Sequence, residues 1–382
     1  MLEQPIIHYS KKELPRFSLN HLYHQSEKLS SSFILQNARE TIEHLLIYNA
    51  RRLKEFRKLP YLVVLNPSIS ESYDTYLQSM SSLLKASLYT PHTLEENTIL
   101  ANDVLSKFIS IHADTLPSLS KGFGEVSNLL TTKQITQFLD NHLHERISMR
   151  LIAHQHIELT KTINDPDKFV KGGKYNGVVK LLYLPDVIKK NAEVVNDITM
   201  MKYDQSVPIK IDTNLRAVYW SQKDPSETSK ENHLYFPYIE YHLDYIFMEL
   251  FKNSFRAHIE NKVTDPVAIT VSVSQDSPKF MEIRIRDKGK GISQNTLNHI
   301  FDYSFTTFES NEGESFKTLN VPPEQLGGGN TVAGMGFGLP LAKQYIEIFN
   351  ETVNERDETK GSLTVQTYPS WGTDVYLKTV GY

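Results

Sequence analysis

The chain has 382 residues, a length that accommodates about two or three domains, and its 41 Lys and Arg against 45 Asp and Glu give a net charge of −4, which supplies no overall positive field for nucleic acid. No apolar stretch is long enough to span a membrane, and the absence of cysteine removes disulfides, thiolate metal sites and a cysteine nucleophile. The N-terminus carries no clear targeting signal, because Lys11, Lys12 and Arg16 are offset by Glu3 and Glu13 without an apolar core.

The first part of the chain reads as helical. From Ser30 to Leu53, apolar Leu35, Ala38, Ile42, Leu45, Leu46 and Tyr48 recur at helical spacing; the pattern continues through Phe56, and Pro60 stops it. Further helices are predicted over Tyr73–Ser87, Glu95–Ile111 and Ile135–Thr162, and four long helices with short connections imply an up-down bundle. Asn164-Asp165-Pro166-Asp167 and Gly172-Gly173 break the pattern, which sets a boundary between residues 1–170 and 171–382.

Beyond the boundary, strands are predicted at Val207–Ile211, Ala217–Trp220, Ala268–Val273, Met281–Arg286, Leu363–Thr367 and Val375–Lys378. Helices over Leu184–Val195, Tyr241–Glu260 and Leu339–Phe349 separate them, so this half is an α/β or α+β sheet covered by helices on one face. Polar Gln222–Asn232 reads as an exposed loop, and the poorly patterned run Phe308–Ala333, with Leu326-Gly-Gly-Gly-Asn330, reads as a nucleotide lid.

Three motifs in one order carry the chemistry. In Glu249-Leu-Phe-Lys-Asn253, Glu249, Asn253 and Arg256 share one face of a largely apolar helix. Asn253 suits Mg²⁺ as a neutral oxygen ligand, and Glu249 suits orientation or deprotonation of a nucleophile. Asp287-Lys-Gly-Lys-Gly291 follows a strand: its carboxylate can accept from an adenine amino group, and Gly289 and Gly291 leave room for a ligand against the backbone. Gly334-Met-Gly-Phe-Gly338 precedes Leu339-Pro340, and Pro340 is tolerated in a first helical turn. The loop N–H groups and helix dipole there suit polyphosphate. No G-x-x-x-x-G-K-[ST] loop, His-Arg-Asp loop or Asp-Phe-Gly is present.

The three motifs resemble the N, G1 and G2 boxes of the Bergerat-type (GHKL) ATPases, and the mitochondrial 2-oxoacid dehydrogenase kinases are similar over far more of the chain, from about residue 30 to the end. Glu249-Leu-Phe-Lys-Asn-Ser-Phe-Arg-Ala257, Leu59-Pro-Tyr-Leu-Val-Val-Leu-Asn-Pro67, Arg146–Arg150 with Gln155-His156, Tyr303-Ser-Phe-Thr-Thr307 and Gly372-Thr-Asp-Val-Tyr-Leu377 carry the resemblance. It implies a four-helix bundle followed by a Bergerat-type α/β sandwich. It also implies a serine protein kinase that uses ATP and Mg²⁺ in the mitochondrial matrix to phosphorylate and inactivate the E1α subunit of a 2-oxoacid dehydrogenase complex, acting as a homodimer with the lipoyl domain of the E2 core as a further partner.

By the same resemblance Glu249 is general base, Asn253 the Mg²⁺ ligand and Asp287 the adenine reader, with Arg256, Gly289 and Gly291 in the ATP pocket. Thr306 and Thr307 become adenine or ribose neighbours; Gly334, Met335, Gly336, Phe337, Gly338 and Leu339 form the phosphate loop, and Thr373 is a pocket-wall hydroxyl. Tyr245 stands where many pyruvate-type members have His, a feature shared with the branched-chain kinases and with short fungal pyruvate dehydrogenase kinases, to which the chain is closer. The chain ends at Gly381-Tyr382 without the Asp-Trp tail of longer members, so the resemblance does not carry the tail-supported mode of lipoyl docking over to it.

Two rival classes are weaker. A histidine kinase would use His144, but Ser148-Met149 stands where a Thr-Pro would follow, and His144 reads as a solvated helix residue. A silent scaffold is disfavoured by the intact Glu249. His156 reads as a packed bundle histidine, and Arg51–Lys58 as a solvated basic face with Leu53 and Phe56 turned inward.

Overall fold

The computed structural model describes residues 2–15, 17–112, 115–213, 234–274, 278–303, 337–350 and 360–381. The chain forms two compact units, the first built chiefly from the residues up to Val178 and the second from Val179–Phe301 and Leu339–Tyr382. Among the described residues of the later chain, Asp302, Tyr303, Phe337 and Gly338 belong to the first unit.

The first unit is helical. In order it contains α1 (Glu3–Ser10), α2 (Leu19–Glu27), α3 (Ser31–Phe56), the single turn α4 (Tyr61–Val64), α5 (Pro67–Leu88), α6 (Leu94–Ile99), α7 (Ser106–Ile111), α8 (Thr115–Glu125) and α9 (Thr132–Ile163). Local chemistry sets the starts of the long helices. The Ser30 hydroxyl accepts from Phe33 N, the Asn66 side chain accepts from Ser68 N and Ile69 N with Pro67 in the first turn, and Thr131 with Gln134 forms a reciprocal capping box.

Helix α3 packs on both α5 and α9, and the α6–α7 segment packs on α9, giving the bundle that the periodicity implies. The single helix expected over Glu95–Ile111 is split by a π-helical turn, Leu100–Leu105. Helix α8 follows no clear pattern in the sequence; it lies against α5 where Gly122 permits close approach, since a Cβ there would fall 2.6 Å from Ile69 Cγ1.

The basic face Arg51–Lys58 is solvated only in part. Leu53 and Phe56 are buried as expected, but Arg52 is only 1% exposed and is ion-paired to Glu145 of α9. Burial raises the Glu145 carboxyl above its ordinary value, opposed by the Arg52 guanidinium. His156 is a buried bundle residue whose ring nitrogens lie 2.7 Å from Asn37 Oδ1 and 3.0 Å from Asn97 Oδ1. Burial lowers its imidazole to about 4, which makes it a neutral hydrogen-bonding member of the core.

The second unit holds a five-stranded sheet of order β2-β4-β5-β7-β6 and a separate antiparallel pair, β1-β3. The strands are β1 (Val179–Tyr183), β2 (Ile209–Thr213), β3 (Tyr235–Ile239), β4 (Val267–Val273), β5 (Lys279–Asp287), β6 (Ser362–Tyr368) and β7 (Gly372–Gly381). β2 and β4 are parallel, and the other pairs in the sheet are antiparallel. The alternation Val267, Ile269, Val271, Val273 buries one face of β4. Helices α10 (Leu184–Tyr203) and α11 (Glu240–Glu260) pack together, α11 also packs on β5, and α12 (Gln294–Leu297) and α13 (Gly338–Glu347) complete the described helices.

β1 and β3 do not follow from the sequence pattern, whereas the expected runs Val207–Ile211, Ala268–Val273, Met281–Arg286, Leu363–Thr367 and Val375–Lys378 fall on or within a residue or two of observed strands. Ala217–Trp220, Gln222–Asn232 and Phe308–Ala333 lie outside the described residues. Among the described residues no helix is long and apolar enough to cross a membrane.

The buried Arg52–Glu145 pair yields the first test. Arg52→Met strands Glu145 inside the bundle and should lower stability to urea by about 3 kcal/mol. The double variant Arg52→Met/Glu145→Leu should recover most of that loss; a single variant as stable as the parent would show that the pair is not buried in solution.

Candidate functional site

Helix α11 has two chemically distinct faces. Phe247, Phe251 and Phe255, four residues apart, are fully buried and stacked, with ring centroids 6.0 and 5.5 Å apart. Glu249, Asn253 and Arg256 lie on a more accessible strip. Glu249 is ion-paired to Lys252, their side chains only 12% and 15% exposed. Asn253 is exposed, and among the described residues its side-chain amide has no hydrogen-bond partner. Arg256 donates to Glu260 Oε1 at 2.5 Å, one turn along the same helix.

Before Glu249, the ring of Tyr345 on α13 lies 4.7 Å from His242 and 5.2 Å from Tyr245. The position one turn ahead of the glutamate is therefore packed against an aromatic neighbour.

The end of β5 supplies the second cluster. Antiparallel register places Asp287 opposite Thr373 of β7. Asp287 is 5% exposed, and its Oδ1 accepts from Gly289 N at 2.9 Å and Thr373 N at 3.3 Å. Burial pushes the carboxyl up to about 6, while the two backbone donors pull the other way. Both backbone donors fall on Oδ1, and the Thr373 hydroxyl adds a further stabilising hydrogen bond to the carboxyl.

Two glycines make this corner possible. Gly372 has φ +103°, and a Cβ there would fall 2.1 Å from Asp287 O; Gly291 has φ +78°, and a Cβ there would fall 2.5 Å from Tyr368 O. Gly289 lies close to α11, since a Cβ on it would meet Ala257 Cβ at 3.0 Å. The helix bearing Glu249 and Asn253 and the turn bearing Asp287 are thus neighbours in one unit.

Several contributing residues escape sequence reasoning. Thr367 Oγ1 accepts from Ile292 N at 2.8 Å and donates to Gly372 O at 3.0 Å, closing the turn onto β6 and β7. It also lies 3.4 Å from the Thr373 hydroxyl. His258 Nε2 accepts from Lys288 N at 2.9 Å, which fixes the ring proton on Nδ1 and ties α11 to the glycine turn. Neither a threonine in a strand nor a histidine near a helix end carries a local signal for such a role.

The third motif is described only at its end. Phe337 is fully buried, its ring 5.3 Å from that of Tyr303, and Gly338-Leu339-Pro340 opens α13. Thr306, Thr307, Gly334, Met335 and Gly336 lie outside the described residues. Among the described residues no group of three or more His, Asp or Glu forms a metal cluster.

A mixed sheet backed by helices, with an Asp on a glycine turn beside a helix carrying Glu and Asn four apart, defines an ATP-binding domain of the GHKL class. Residues 239–378 match the family described as histidine kinase-, DNA gyrase B-, and HSP90-like ATPase. Residues 16–180 match the family described as mitochondrial branched-chain alpha-ketoacid dehydrogenase kinase. The chain is 33% identical to [pyruvate dehydrogenase (acetyl-transferring)] kinase 1, mitochondrial, of Saccharomyces cerevisiae over 90% of its own length and 78% of the relative's. It is 27% identical to the mitochondrial enzyme of that name in Arabidopsis thaliana, over 94% and 88% of the two chains. Against isozyme 1 of Mus musculus it is 25% identical over 92% and 73%. The chain belongs to the mitochondrial 2-oxoacid dehydrogenase kinase family.

The crowding at Gly372 gives a direct test of the corner. Gly372→Ala must move either the β5 end or its own strand and should cost about 2 kcal/mol or more in urea unfolding. Gly289→Ala, with a 3.0 Å approach to one methyl group, should cost less. Equal stability of both variants with the parent would refute the close packing of strand and turn.

Proposed function

We propose that the chain is an ATP-dependent protein-serine kinase that phosphorylates, and so inactivates, the E1α subunit of the pyruvate dehydrogenase complex. The observation that carries this reading is the conjunction of the Glu249–Asn253 strip on α11 with the buried Asp287 on the adjoining glycine turn. The relatives' names favour the pyruvate complex over the branched-chain one. The same relatives support a mitochondrial location, and the matrix is the compartment where such a complex would be met. Residues 1–170 would dock and regulate, residues 171–382 would bind ATP, and the working form would be a homodimer that also engages the lipoyl domain of the complex's core.

In this reading the adenine amino group donates to Asp287, with Thr373 on the pocket wall and Gly289 and Gly291 leaving room for the base. Thr306 and Thr307 would flank adenine or ribose, and residues 334–339 would carry the phosphates. Asn253 fits Mg²⁺: an exposed, unpartnered neutral oxygen without an acidic cluster suits an ion that takes most of its ligands from phosphates and water. Bound there, Mg²⁺ would neutralise charge developing on the transferring phosphoryl group. Glu249 takes the proton of the acceptor serine hydroxyl as the serine oxygen bonds to the γ-phosphorus and the bond to ADP breaks. Arg256, held by Glu260, would contribute positive charge at the edge of the site.

Incubation with labelled ATP and purified dehydrogenase complexes tests the function. Label on the E1α of the pyruvate complex with loss of its activity is expected; label only on the branched-chain E1α would reassign the substrate, and label on His144 would reassign the class.

Glu249→Gln should reduce transfer at least about 100-fold while leaving ATP affinity within about threefold. Asn253→Ala should lose Mg²⁺-dependent ATP binding in calorimetry, and normal affinity would sink the ligand role.

The raised Asp287 carboxyl adds a pH signature. The ionised form accepts from adenine, so affinity should be constant above about pH 7 and fall up to tenfold per unit below about pH 6. Asp287→Asn should weaken binding and flatten the profile; an unchanged profile would mean that adenine is read elsewhere.

A further inference from the structure

The turn after Asp287 contains Gly289 and Gly291, so its composition leaves the backbone free to move unless something outside it holds it. The direction of the Asp287 carboxylate depends on the peptide unit that joins Asp287 to Lys288, because that plane sets the backbone from which the side chain departs. Both edges of this unit are held. On the carbonyl edge β7 comes close: a Cβ on Gly372 would fall 2.1 Å from Asp287 O and 2.9 Å from its carbonyl carbon. On the opposite edge, Lys288 N donates to His258 Nε2 at 2.9 Å.

His258 is fully buried near the end of α11, the helix that carries Glu249 and Asn253. Its own carbonyl accepts from Val263 N at 2.9 Å, which folds the connection to β4 back onto the helix end. Asp265 of that connection lies 3.1 Å from Lys288 Nζ in an ion pair. Lys288 is thus tied twice, by its backbone to the helix and by its side chain to the connection that follows it. Burial lowers the His258 imidazole below its ordinary value, with Asp265 opposing and Lys288 adding to the effect, so the ring is neutral at neutral pH and Nε2 remains an acceptor. An apolar ring would fill the same volume but leave the Lys288 N–H without this partner.

We propose that His258 is a positioning residue for the Asp287 carboxylate, holding the Asp287–Lys288 peptide plane from the side opposite Gly372. This rests on the reading of Asp287 as the adenine acceptor. His258, Asp265, Asp287, Lys288 and Gly372 all belong to the second compact unit. A hydrogen bond from an exocyclic amino group weakens steeply as its angle departs from linear. Released from His258, the peptide plane can rock about the glycine turn and carry the carboxylate off that line. The loss should then fall on recognition of the amino group and spare the rest of the nucleotide.

Purine riboside triphosphate, which is ATP without the 6-amino group, separates these contributions. By isothermal titration calorimetry with Mg²⁺, the parent protein should prefer ATP to this analogue by about tenfold or more, the scale of one hydrogen bond to a charged acceptor. His258→Phe should weaken ATP binding about five- to tenfold and leave affinity for the analogue within about twofold, so that most of the preference disappears. In steady-state phosphorylation of E1α it should raise KM for ATP while kcat at saturating ATP stays near the parental value. His258→Gln, whose amide oxygen can reach the place of Nε2, should restore most of the preference. Where His258→Phe does not melt cooperatively, His258→Met, flexible and without a nitrogen acceptor, takes its place and carries the same expectation.

A parental preference for ATP in the folded variant would overturn the positioning role and leave the adenine reading of Asp287 intact. An equal fall in affinity for both nucleotides would overturn it too, since that is the mark of general loosening. No preference, or no binding, in the parent protein would overturn both.

Discussion

The second unit depends on a carboxylate taken out of water without a counter-charge. Among the described residues Asp287 has no cation partner; two backbone N–H groups hold it, one from its own glycine turn and one from the facing strand, with help from the Thr373 hydroxyl. Burial wins over those hydrogen bonds and raises the carboxyl to about 6. The folded state therefore binds a proton there more tightly than the unfolded chain does. The cost is absent below pH 3.8, develops as pH rises toward about 6 and is full above it, on the order of 3 kcal/mol. A structural residue would not retain such a penalty at neutral pH, since an amide could make the same hydrogen bonds without it. The proposed role supplies a reason to keep it, since a donor from a bound ligand would pair with the carboxylate. Gly372 and Gly291 follow from this requirement, because only a residue without Cβ lets β7 and the β6–β7 turn come close enough to supply the second N–H and close the corner.

The first unit manages polar groups differently. Its buried Arg52 is neutralised by Glu145, and its buried His156 is kept uncharged and hydrogen-bonded to two asparagines from different helices. These contacts fix helix register where apolar packing alone would allow sliding. They contrast with Asp287 in that Arg52 faces an opposite charge and His156 faces two asparagine side chains within the same unit.

The degree to which the sequence discloses this architecture follows the physics of each element. The long bundle helices and β4 and β5 are legible because one face is buried along many residues, which imposes period 3.6 or 2. β1 and β3 are not: each has five residues, among the described residues they pair only with each other, and Leu184-Pro185 and Glu240 start helices directly at their ends, so no alternation can accumulate. α8 is hidden because Gly122, which permits contact with α5, and Gly124 weaken its helical signal. Arg52 looks solvated because a charge in a basic run ordinarily is; its partner lies on a helix far along the chain. At the site, Asp287, Gly289, Gly291 and the α11 strip are legible as short motifs, whereas Thr367, His258 and the conformational demand at Gly372 arise only when separate strands and a helix meet.

The placement of the chemical strip on α11 rests on its opposite face. A helix that bore Glu249, Asn253 and Arg256 on a solvated surface could turn by tens of degrees and move each side chain by ångströms, enough to spoil proton transfer and metal geometry together. The ladder of Phe247, Phe251 and Phe255 prevents that rotation, because its members repeat every fourth residue and are all fully buried. His258 adds a polar pin near the end of the helix, accepting from the backbone of the turn that follows Asp287. Glu249 and Asn253 are therefore indexed to the Asp287 turn through one rigid element and one hydrogen bond, as the proposed base, metal ligand and adenine acceptor would require.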